Sequence, residues 1–345
     1  MKSLITIFAI LAMALVSFSF TSPVLAAEPA QVEPGQEQGP VLCIAWGWPL
    51  ASRPPKIGKE VGLSQFTLDG KKIHGTPVDY PADGCSDLAY HSSALLVSFC
   101  GGRGERRLYR LDSAGHSKMI SLKEYGIERP ARIAPFSAQS ASHQGLLVAD
   151  RSGTIIHFTG DGSSKVLAKD TTPFRAHISS TCGDRIIIGA SSEAPFAEYE
   201  LKEDKLRKVR NLESPTGLLE GSGDVGADPD RDQFVISQHG SSTVHLYVRG
   251  QHAAMMELPI NLELFASSNR PVFMSPTEVA FICRWRDSNR HAYFVWDTSR
   301  DPEDKKTFRV LFYWPHNSYP PHGTVLLQQP WPWKAVDHEK IVSRD

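Results

Sequence analysis

The sequence predicts an all-β fold, a six-bladed β-propeller whose blades are four-stranded antiparallel sheets. The first observation behind this prediction is a hydrophobic pattern that recurs five times, with a sixth, degenerate copy. Prolines precede the five copies at steps of 49, 43, 42 and 56 residues: Pro81, Pro130, Pro173, Pro215 and Pro271. The second observation is that helical periodicity is nearly absent after the first 26 residues. A repeat of this length, in units too small to bury an apolar face alone, indicates radial or linear stacking of sheets.

Each copy contains one short apolar run, which we predict to be a buried strand. The runs are four to six residues long, rich in β-branched or aromatic residues, and bounded by Gly, Pro, Asp or Ser, as strands usually are. They are Val41–Trp46, Leu95–Phe99, Leu146–Ala149, Ile186–Gly189, Phe234–Ser237 and Val279–Cys283.

The second half of each unit is predicted to be a hairpin. Its turns include Asp69-Gly70, Glu203-Asp204 and Arg249-Gly250, residue pairs that supply the positive φ angles of tight hairpins. A unit then holds about four short antiparallel strands. Strands grouped in equal sets of about four do not fit the connections of a Greek-key sandwich. A linear solenoid would need polar capping units at both ends. A closed propeller, which protects its strand edges, fits best.

Residues 41–345 are expected to form one propeller domain, including a closing tail. Six blades between Val41 and Pro315 average about 46 residues each, a length usual for a blade. The tail that begins at His316 can supply a strand for ring closure, with Thr324–Gln328 beside the first blade.

The first 26 residues are interpreted as an export signal. Lys2 provides the positive start, Leu4–Phe20 the apolar stretch, and Val24-Leu25-Ala26 a small-residue cleavage site. A retained membrane anchor is the alternative, but this apolar run of 17 residues is short for a span. Residues 27–40 are predicted to be a flexible lead-in. We therefore expect a periplasmic or secreted protein without a membrane span after cleavage.

The charge balance argues against a nucleic-acid partner. Without Lys2 the chain carries 36 basic and 38 acidic residues, so no basic excess attracts phosphate. The expected partner is a protein or a small-molecule ligand.

The segment Asp224–Tyr247 shows the order of elements most clearly: a strand, an Asp-rich turn, a buried strand, a polar loop and an aromatic strand. With this pattern the chain resembles the periplasmic six-bladed propellers of the NHL and gluconolactonase-like type. The resemblance spans nearly the whole mature chain and implies the fold. Such blades occur in enzymes, electron carriers and binding modules, so the fold does not decide the function.

In propellers the loops into the innermost strands and the loops between second and third strands share one face, where sites are usually built. Aligning the units places five positions there: Asp87, Arg132, Ala176 or His177, Asp224 and Val272. Asp87 and Asp224 fall three blades apart and should face each other across the channel, with Arg132 beside one of them. The two carboxylates could hold a hard cation such as calcium, or they could bind backbone N–H groups, the interpretation we favour.

The resemblance also provides an enzymatic alternative, a metal-dependent, lactonase-like hydrolase. Calcium-dependent relatives of this architecture place a Glu and Asn residues among their ligands, whereas the matching positions here carry Arg132, Ala176 or His177, and Val272. A lyase using His177 or His239 as acid and base is a further alternative. Motifs for zinc hydrolysis, haem attachment and a serine nucleophile are missing from the sequence. We therefore expect no cofactor, with calcium the possible exception, and place a non-enzymatic binding module first.

The tryptophans point to a recognition surface. All seven lie in the first blade, the last blade or the tail, which ring closure brings together. Trp46 and Trp285 occupy corresponding places after buried strands, so a pair of indoles could stack a ligand there. The alternative is that they pack the interface between blades.

The cysteines test the strand register. If Tyr90 opposes Leu95, Cys85 should lie opposite Cys100 at disulfide distance, while two unpaired buried thiols are the alternative. Cys43 and Cys283 have similar contexts and should approach each other on closure, with a bridge between them less expected. Cys182 has no evident partner.

Overall fold

The computed structural model describes residues 39–47, 61–77, 85–99, 107–112, 117–120, 122, 127, 130–136, 145–150, 153–159, 163–168, 177–180, 185–189, 195–220, 223–238, 241–264, 270–288, 290–301, 304, 306–314 and 321–331. Within these ranges the chain is almost entirely β-structure, and the one named helix is the short 3₁₀ turn Pro229–Arg231. In the same ranges, no helix is both long enough and apolar enough to span a membrane.

The first three blades are built from consecutive short strands in the order of the chain. Blade one contains β1 (Val41–Gly47), β2 (Val61–Thr67) and β3 (Lys72–Pro77). Blade two contains β4 (Cys85–His91), β5 (Ala94–Phe99), β6 (Arg107–Leu111) and β7 (Ser117–Ile120). Blade three contains β8 (Pro130–Phe136), β9 (Gly145–Asp150), β10 (Ile155–Thr159) and β11 (Ser164–Ala168).

The other three blades follow the same plan, with one added hairpin. Blade four contains β12 (His177–Ser180), β13 (Arg185–Gly189), β14 (Ala197–Lys202) and β15 (Lys205–Asn211), and a small hairpin, β16 (Glu213–Ser214) and β17 (Gly217–Leu218), comes next. Blade five contains β18 (Gly223–Asp228), β19 (Gln233–Gln238), β20 (Thr243–Val248) and β21 (Gln251–Glu257). Blade six contains β22 (Leu262–Leu264), β23 (Val272–Phe273), β24 (Glu278–Trp285), β25 (His291–Asp297) and β26 (Phe308–Tyr313), and β27 (Pro321–Leu327) is the last strand in the described ranges.

The blades form a closed ring, which confirms the predicted six-bladed propeller. The innermost strands β27, β4, β8, β12, β18 and β23 each contact the next, and β23 contacts β27 to complete the circle. The predicted closing strand is also confirmed. β27 pairs antiparallel with β1 along its length, so that Val41 lies opposite Leu327 and Ile44 opposite Thr324. Blade one is therefore assembled from both ends of the propeller sequence.

Apolar side chains fill the space between neighbouring blades, in one cluster for each of the six interfaces. In β1 the side chains alternate between two of these clusters, because successive residues of a strand point to opposite faces. Val41, Cys43 and Ala45 pack against blade two, whereas Leu42 and Ile44 pack against blade six. Both faces of this strand are buried, as a central position in a ring of sheets requires.

Blade six departs from the predicted four strands because two short strands share one edge of β24. Leu264 pairs with Cys283 and Val272 with Ala280. Between these two pairs the chain runs eight residues, from Leu264 to Val272. The facing part of β24, from Cys283 to Ala280, runs only three residues. The inner strand of blade six is interrupted at this point, immediately before Val272.

The cysteines correct one expectation from the sequence. Cys43 and Cys283 are free and buried, and they belong to different clusters: Cys43 packs between blades one and two, Cys283 between blades five and six. Cys43 thus faces blade two and Cys283 faces blade five, so the two side chains point away from the interface between blades one and six and form no bridge. Burial raises the pKa of the Cys43 thiol to about 12, so this thiol is protonated at neutral pH.

The predicted register of the blade-two hairpin is confirmed over most of its length and shifts at its end. Tyr90 lies opposite Leu95 and Asp87 opposite Ser98, as expected. A bulge at Ser86 then places Cys85 opposite Phe99 instead of Cys100. Cys100, Cys182 and the side chain of Cys85 lie outside the described residues, so the disulfide between Cys85 and Cys100 stays a prediction.

We expect Gly323→Ala to weaken ring closure. A Cβ at Gly323 in β27 would lie 2.4 Å from the backbone nitrogen of Leu88 in β4, and a backbone atom cannot move aside cheaply. We expect a loss of about 1–3 kcal/mol in the free energy of unfolding, measured by urea denaturation. Gly39→Ala is the matched control, since a Cβ there meets nothing within 4 Å. Equal stability of the two variants would contradict the close packing of β27 on β4.

Candidate functional site

Three of the predicted channel residues lie near the beginnings of inner strands, at one end of the channel. Asp87 is in β4, Arg132 in β8 and Asp224 in β18, each opposite the last residues of the second strand of its blade. All three side chains are buried. We call the side of the ring at which the inner strands begin the channel face.

Arg132 and Asp224 form an ion pair that joins blade three to blade five. Nη2 of Arg132 donates to Oδ1 of Asp224, and only 2 % of either side chain is exposed. The sequence placed Arg132 beside one carboxylate. The structure shows that Arg132 binds the carboxylate of Asp224, two blades away.

Asp87 is bound by a second arginine, Arg270, which the sequence analysis missed. Nη2 of Arg270 donates to Oδ2 of Asp87 at 2.5 Å and lies 2.7 Å from the carbonyl oxygen of Ile133. The backbone N–H groups of Leu88 and Ile133 donate to the two carboxylate oxygens, each at 2.9 Å. Asp87 therefore connects blades two, three and six through one buried carboxylate.

The four groups alternate in sign around the ring, with Asp87 in blade two, Arg132 in blade three, Asp224 in blade five and Arg270 at the start of blade six. We call them the channel charge network. Burial raises the pKa of Asp87, while the charges of Arg270 and Arg132 and the two backbone donors oppose this shift. Burial likewise lowers the pKa of Arg270, although a guanidinium remains charged in proteins. With two carboxylates and two guanidiniums, the formal charges of the four groups sum to zero.

This arrangement bears directly on the calcium hypothesis. The two carboxylates belong to opposite blades, as the sequence indicated, but each is bound by a guanidinium instead of both facing a shared cation. Within the described ranges no three His, Cys, Asp or Glu side chains gather as metal ligands would. A cation at the channel would have to displace two buried ion pairs.

The remaining sequence candidates are placed only in part. His177 begins β12, but its side chain, the side chain of Trp46, and the whole of His239 lie outside the described residues. The indole of Trp285 stacks on the ring of Tyr313, with 5.8 Å between centroids and 17° between planes. It also packs with the cluster between blades five and six, on the side of β24 away from blade one.

The second candidate site is a pocket of about 610 Å³ at the outer edge of blades four and five. Arg210 lines it, and its guanidinium binds the buried carboxylate of Glu198 at 2.8 Å and the carbonyl oxygen of Gly250 at 2.5 Å. Tyr247 and His252 also line it, and their rings meet edge to face at 5.3 Å. The hydroxyl of Tyr247 donates to the carbonyl oxygen of Glu213 at 2.8 Å, which fastens the β16–β17 hairpin to blade five.

His252 also forms a close pair with His245, which does not line the pocket. Nδ1 of His245 lies 3.3 Å from Nε2 of His252. Burial lowers the pKa of His245 to about 4, and the neighbouring His252 adds to this shift; burial also lowers the pKa of His252. The sequence analysis missed this pair, although the predicted turn at Arg249-Gly250 brings the two residues onto adjacent strands.

Comparison with solved structures confirms the fold. The chain is similar to TolB from Acinetobacter baumannii, with a TM-score of 0.56, 15 % identity, and coverage of 84 % of this chain and 67 % of that one. It is also similar to YCF48 bound to D1 peptide, with a TM-score of 0.46, 10 % identity, and coverage of 82 % and 88 %. A calcium-binding protein, regucalcin, from Agrobacterium tumefaciens strain C58 gives a TM-score of 0.43 with 16 % identity and coverage of 70 % and 86 %.

At these identities the likeness concerns the fold alone. The predicted propeller fold is confirmed at that level. No family model and no curated protein sequence matches the chain.

We expect Arg270→Met to be strongly destabilising. It leaves the Asp87 carboxylate buried without its arginine, which costs about 3–5 kcal/mol when a buried ion pair is broken. The free energy of unfolding, measured by urea denaturation, checks this. The double variant Arg270→Met/Asp87→Asn should recover part of the loss, because the buried charge is gone as well.

Arg300→Ala serves as the control for this variant. Arg300 binds Asp297 and Asp304 at the surface, where water screens the pairs, so its removal should leave stability nearly unchanged. If Arg270→Met were no more harmful than Arg300→Ala, the channel charge network would not hold the inner strands.

Proposed function

We propose that this protein is an exported binding module that recognises a protein partner or a small ligand on the channel face of the propeller. The observation that supports this proposal is the channel charge network. Both carboxylates of the channel are bound by arginines, so the chemistry they can offer is already used to join the blades. We therefore expect the residues around the network, and not the two carboxylates, to bind a partner on the channel face.

The same observation weakens the rival function, a metal-dependent, lactonase-like hydrolase or a lyase. Calcium prefers six to eight oxygen ligands, several of them charged. At the channel, Asp87 and Asp224 would have to release Arg270 and Arg132 into a buried space. Breaking such pairs leaves uncompensated buried charge and is costly. We therefore place the hydrolase second.

Exposed side chains around the end of β24 suit recognition of a partner. Tyr313 is 66 % exposed and stacks on Trp285. Ile260, in the loop between β21 and β22, is 93 % exposed. The backbone N–H of Arg286 donates to the carbonyl oxygen of Asn261 at 2.9 Å, which holds this loop next to the end of the strand. Tyrosine, tryptophan and arginine are the residues that most often dominate protein interfaces.

A photo-reactive amino acid on the channel face should report the partner. Asp287 is an exposed residue in the loop between β24 and β25, a loop of the channel face, and Glu203 is exposed in a turn at the opposite end of the blades. We expect irradiation of cells to give a discrete adduct from position 287, detected by mass, and none from position 203. Identical adducts from both positions would contradict recognition by this face.

A calcium titration separates the binding module from the hydrolase. The hydrolase requires one Ca²⁺ per chain, a midpoint of thermal unfolding that rises with calcium, and loss of this response in Asp224→Asn. The binding module predicts a midpoint that calcium does not change. A stoichiometric calcium that depends on Asp224 would therefore overturn our proposal.

Export itself is tested on the protein recovered from outside the cytoplasm. We propose cleavage after Ala26, so the intact mass should correspond to a chain that begins at Ala27, with residues 27–40 leading into the propeller. Non-reducing peptide mapping should join Cys85 to Cys100, whose hairpin the bulge at Ser86 distorts but does not separate. A retained signal segment would contradict export, and a link from Cys85 to Cys182 would contradict the proposed pairing.

A further inference from the structure

His245 and His252 are brought together by the outer hairpin of blade five. The turn at Arg249-Gly250 pairs His252 with Tyr247 across β20 and β21. His245 lies two residues before Tyr247, so its side chain is on the same face of the sheet. The imidazole rings are neighbours, with 5.5 Å between centroids and 63° between planes.

The surroundings of His245 direct one ring nitrogen toward its neighbour. Nε2 of His245 lies 3.2 Å from the hydroxyl of Thr243, and that hydroxyl lies 2.6 Å from the hydroxyl of Ser241. When Nε2–H donates to Thr243, Nδ1 carries the free lone pair. Nδ1 faces Nε2 of His252 at 3.3 Å. An oxygen partner on the far nitrogen is what orients histidines that bind metals.

The distance between the two nitrogens equals the span of two ligands on a tetrahedral metal. With metal–nitrogen bonds of about 2.0–2.1 Å, two ligands at the tetrahedral angle lie about 3.3 Å apart. The ion would sit about 1.2 Å to the side of the line between the nitrogens, so both rings must rotate slightly. Of the two histidines, His252 lines the pocket of about 610 Å³ and His245 does not, so we expect water or another ligand to reach the ion from the His252 side.

We propose that His245 and His252 form a two-histidine site for a divalent transition metal, with Zn²⁺ the expected occupant. Imidazole favours zinc, copper and nickel over calcium and magnesium. Water or a ligand in the pocket completes the coordination. Oδ1 of Asn211, which also lines the pocket, is buried and accepts no hydrogen bond from the part of the chain that the structure describes, so it can accept one from such a molecule.

The site is independent of the channel face and of the function proposed for it. It lies at the outer edge of blades four and five, whereas the channel charge network lies on the inner strands. With two protein ligands we expect micromolar affinity, weaker than a structural zinc site with four ligands.

Isothermal titration of the untagged, EDTA-treated mature protein with Zn²⁺ alone tests the proposal. We expect one Zn²⁺ per chain, no binding of Ca²⁺, and no Zn²⁺ binding at stoichiometric concentration in His252→Gln. His252 is only half-buried, so this variant should fold. His91→Gln, which removes a partly buried histidine of blade two, should bind like the unaltered protein. Thr243→Val should weaken binding about 10–100-fold, because it removes the group that orients His245.

Copper provides a direct readout of the ligands. With one Cu²⁺ bound, the electron paramagnetic resonance spectrum should show coupling to two nitrogens in the unaltered protein and fewer in His252→Gln. Absence of binding up to millimolar Zn²⁺ would overturn the proposal, as would Zn²⁺ binding that His252→Gln leaves unchanged.

Discussion

The pairing of β27 with β1 is the constraint on which the rest of the molecule depends. A blade has two apolar faces, and both are buried only when a neighbour stands on each side. Blade one meets this condition because the last described strand completes it and brings blade six against Leu42 and Ile44. The hydroxyls of Tyr293 and Thr324 lie 2.7 Å apart and tie β27 to blade six, and Gln65 is bound to the backbone of Trp331 just beyond it.

The channel charge network depends on the same closure. Its ion pairs join blades that are not neighbours, three with five and six with two, so opening the ring would separate the charges. The desolvation of four charged groups offsets much of their attraction, so the pairs add little net stability, although breaking one of them is costly. Their directional hydrogen bonds instead fix the positions of the inner strands relative to one another. Because Arg270 binds Asp87 and Arg132 binds Asp224, these carboxylates are not available for other chemistry.

The fold was predictable from sequence, because the continuous apolar runs of β1 and its counterparts need apolar neighbours on both faces. The carboxylates were found because they occupy matching places in two repeats. Arg270 was missed because it lies in the stretch where blade six loses alignment, between Leu264 and Val272. A charge argument could have found it, since two buried carboxylates require two cations and the aligned positions supplied one. The bulge at Ser86 has no local signal that fixes it.

The pocket and the histidine pair show why a repeat pattern predicts scaffolds better than sites. Blade four is joined to blade five through the added β16–β17 hairpin, and Tyr247 fastens that hairpin by its hydroxyl. The pocket therefore follows from an insertion between repeats and not from the repeat itself. The histidines follow from the hairpin register, which requires the turn and the bulge between Leu246 and Tyr247 to be known. In this propeller the repeated positions hold the ring together, and the irregular connections create the chemically distinctive surfaces.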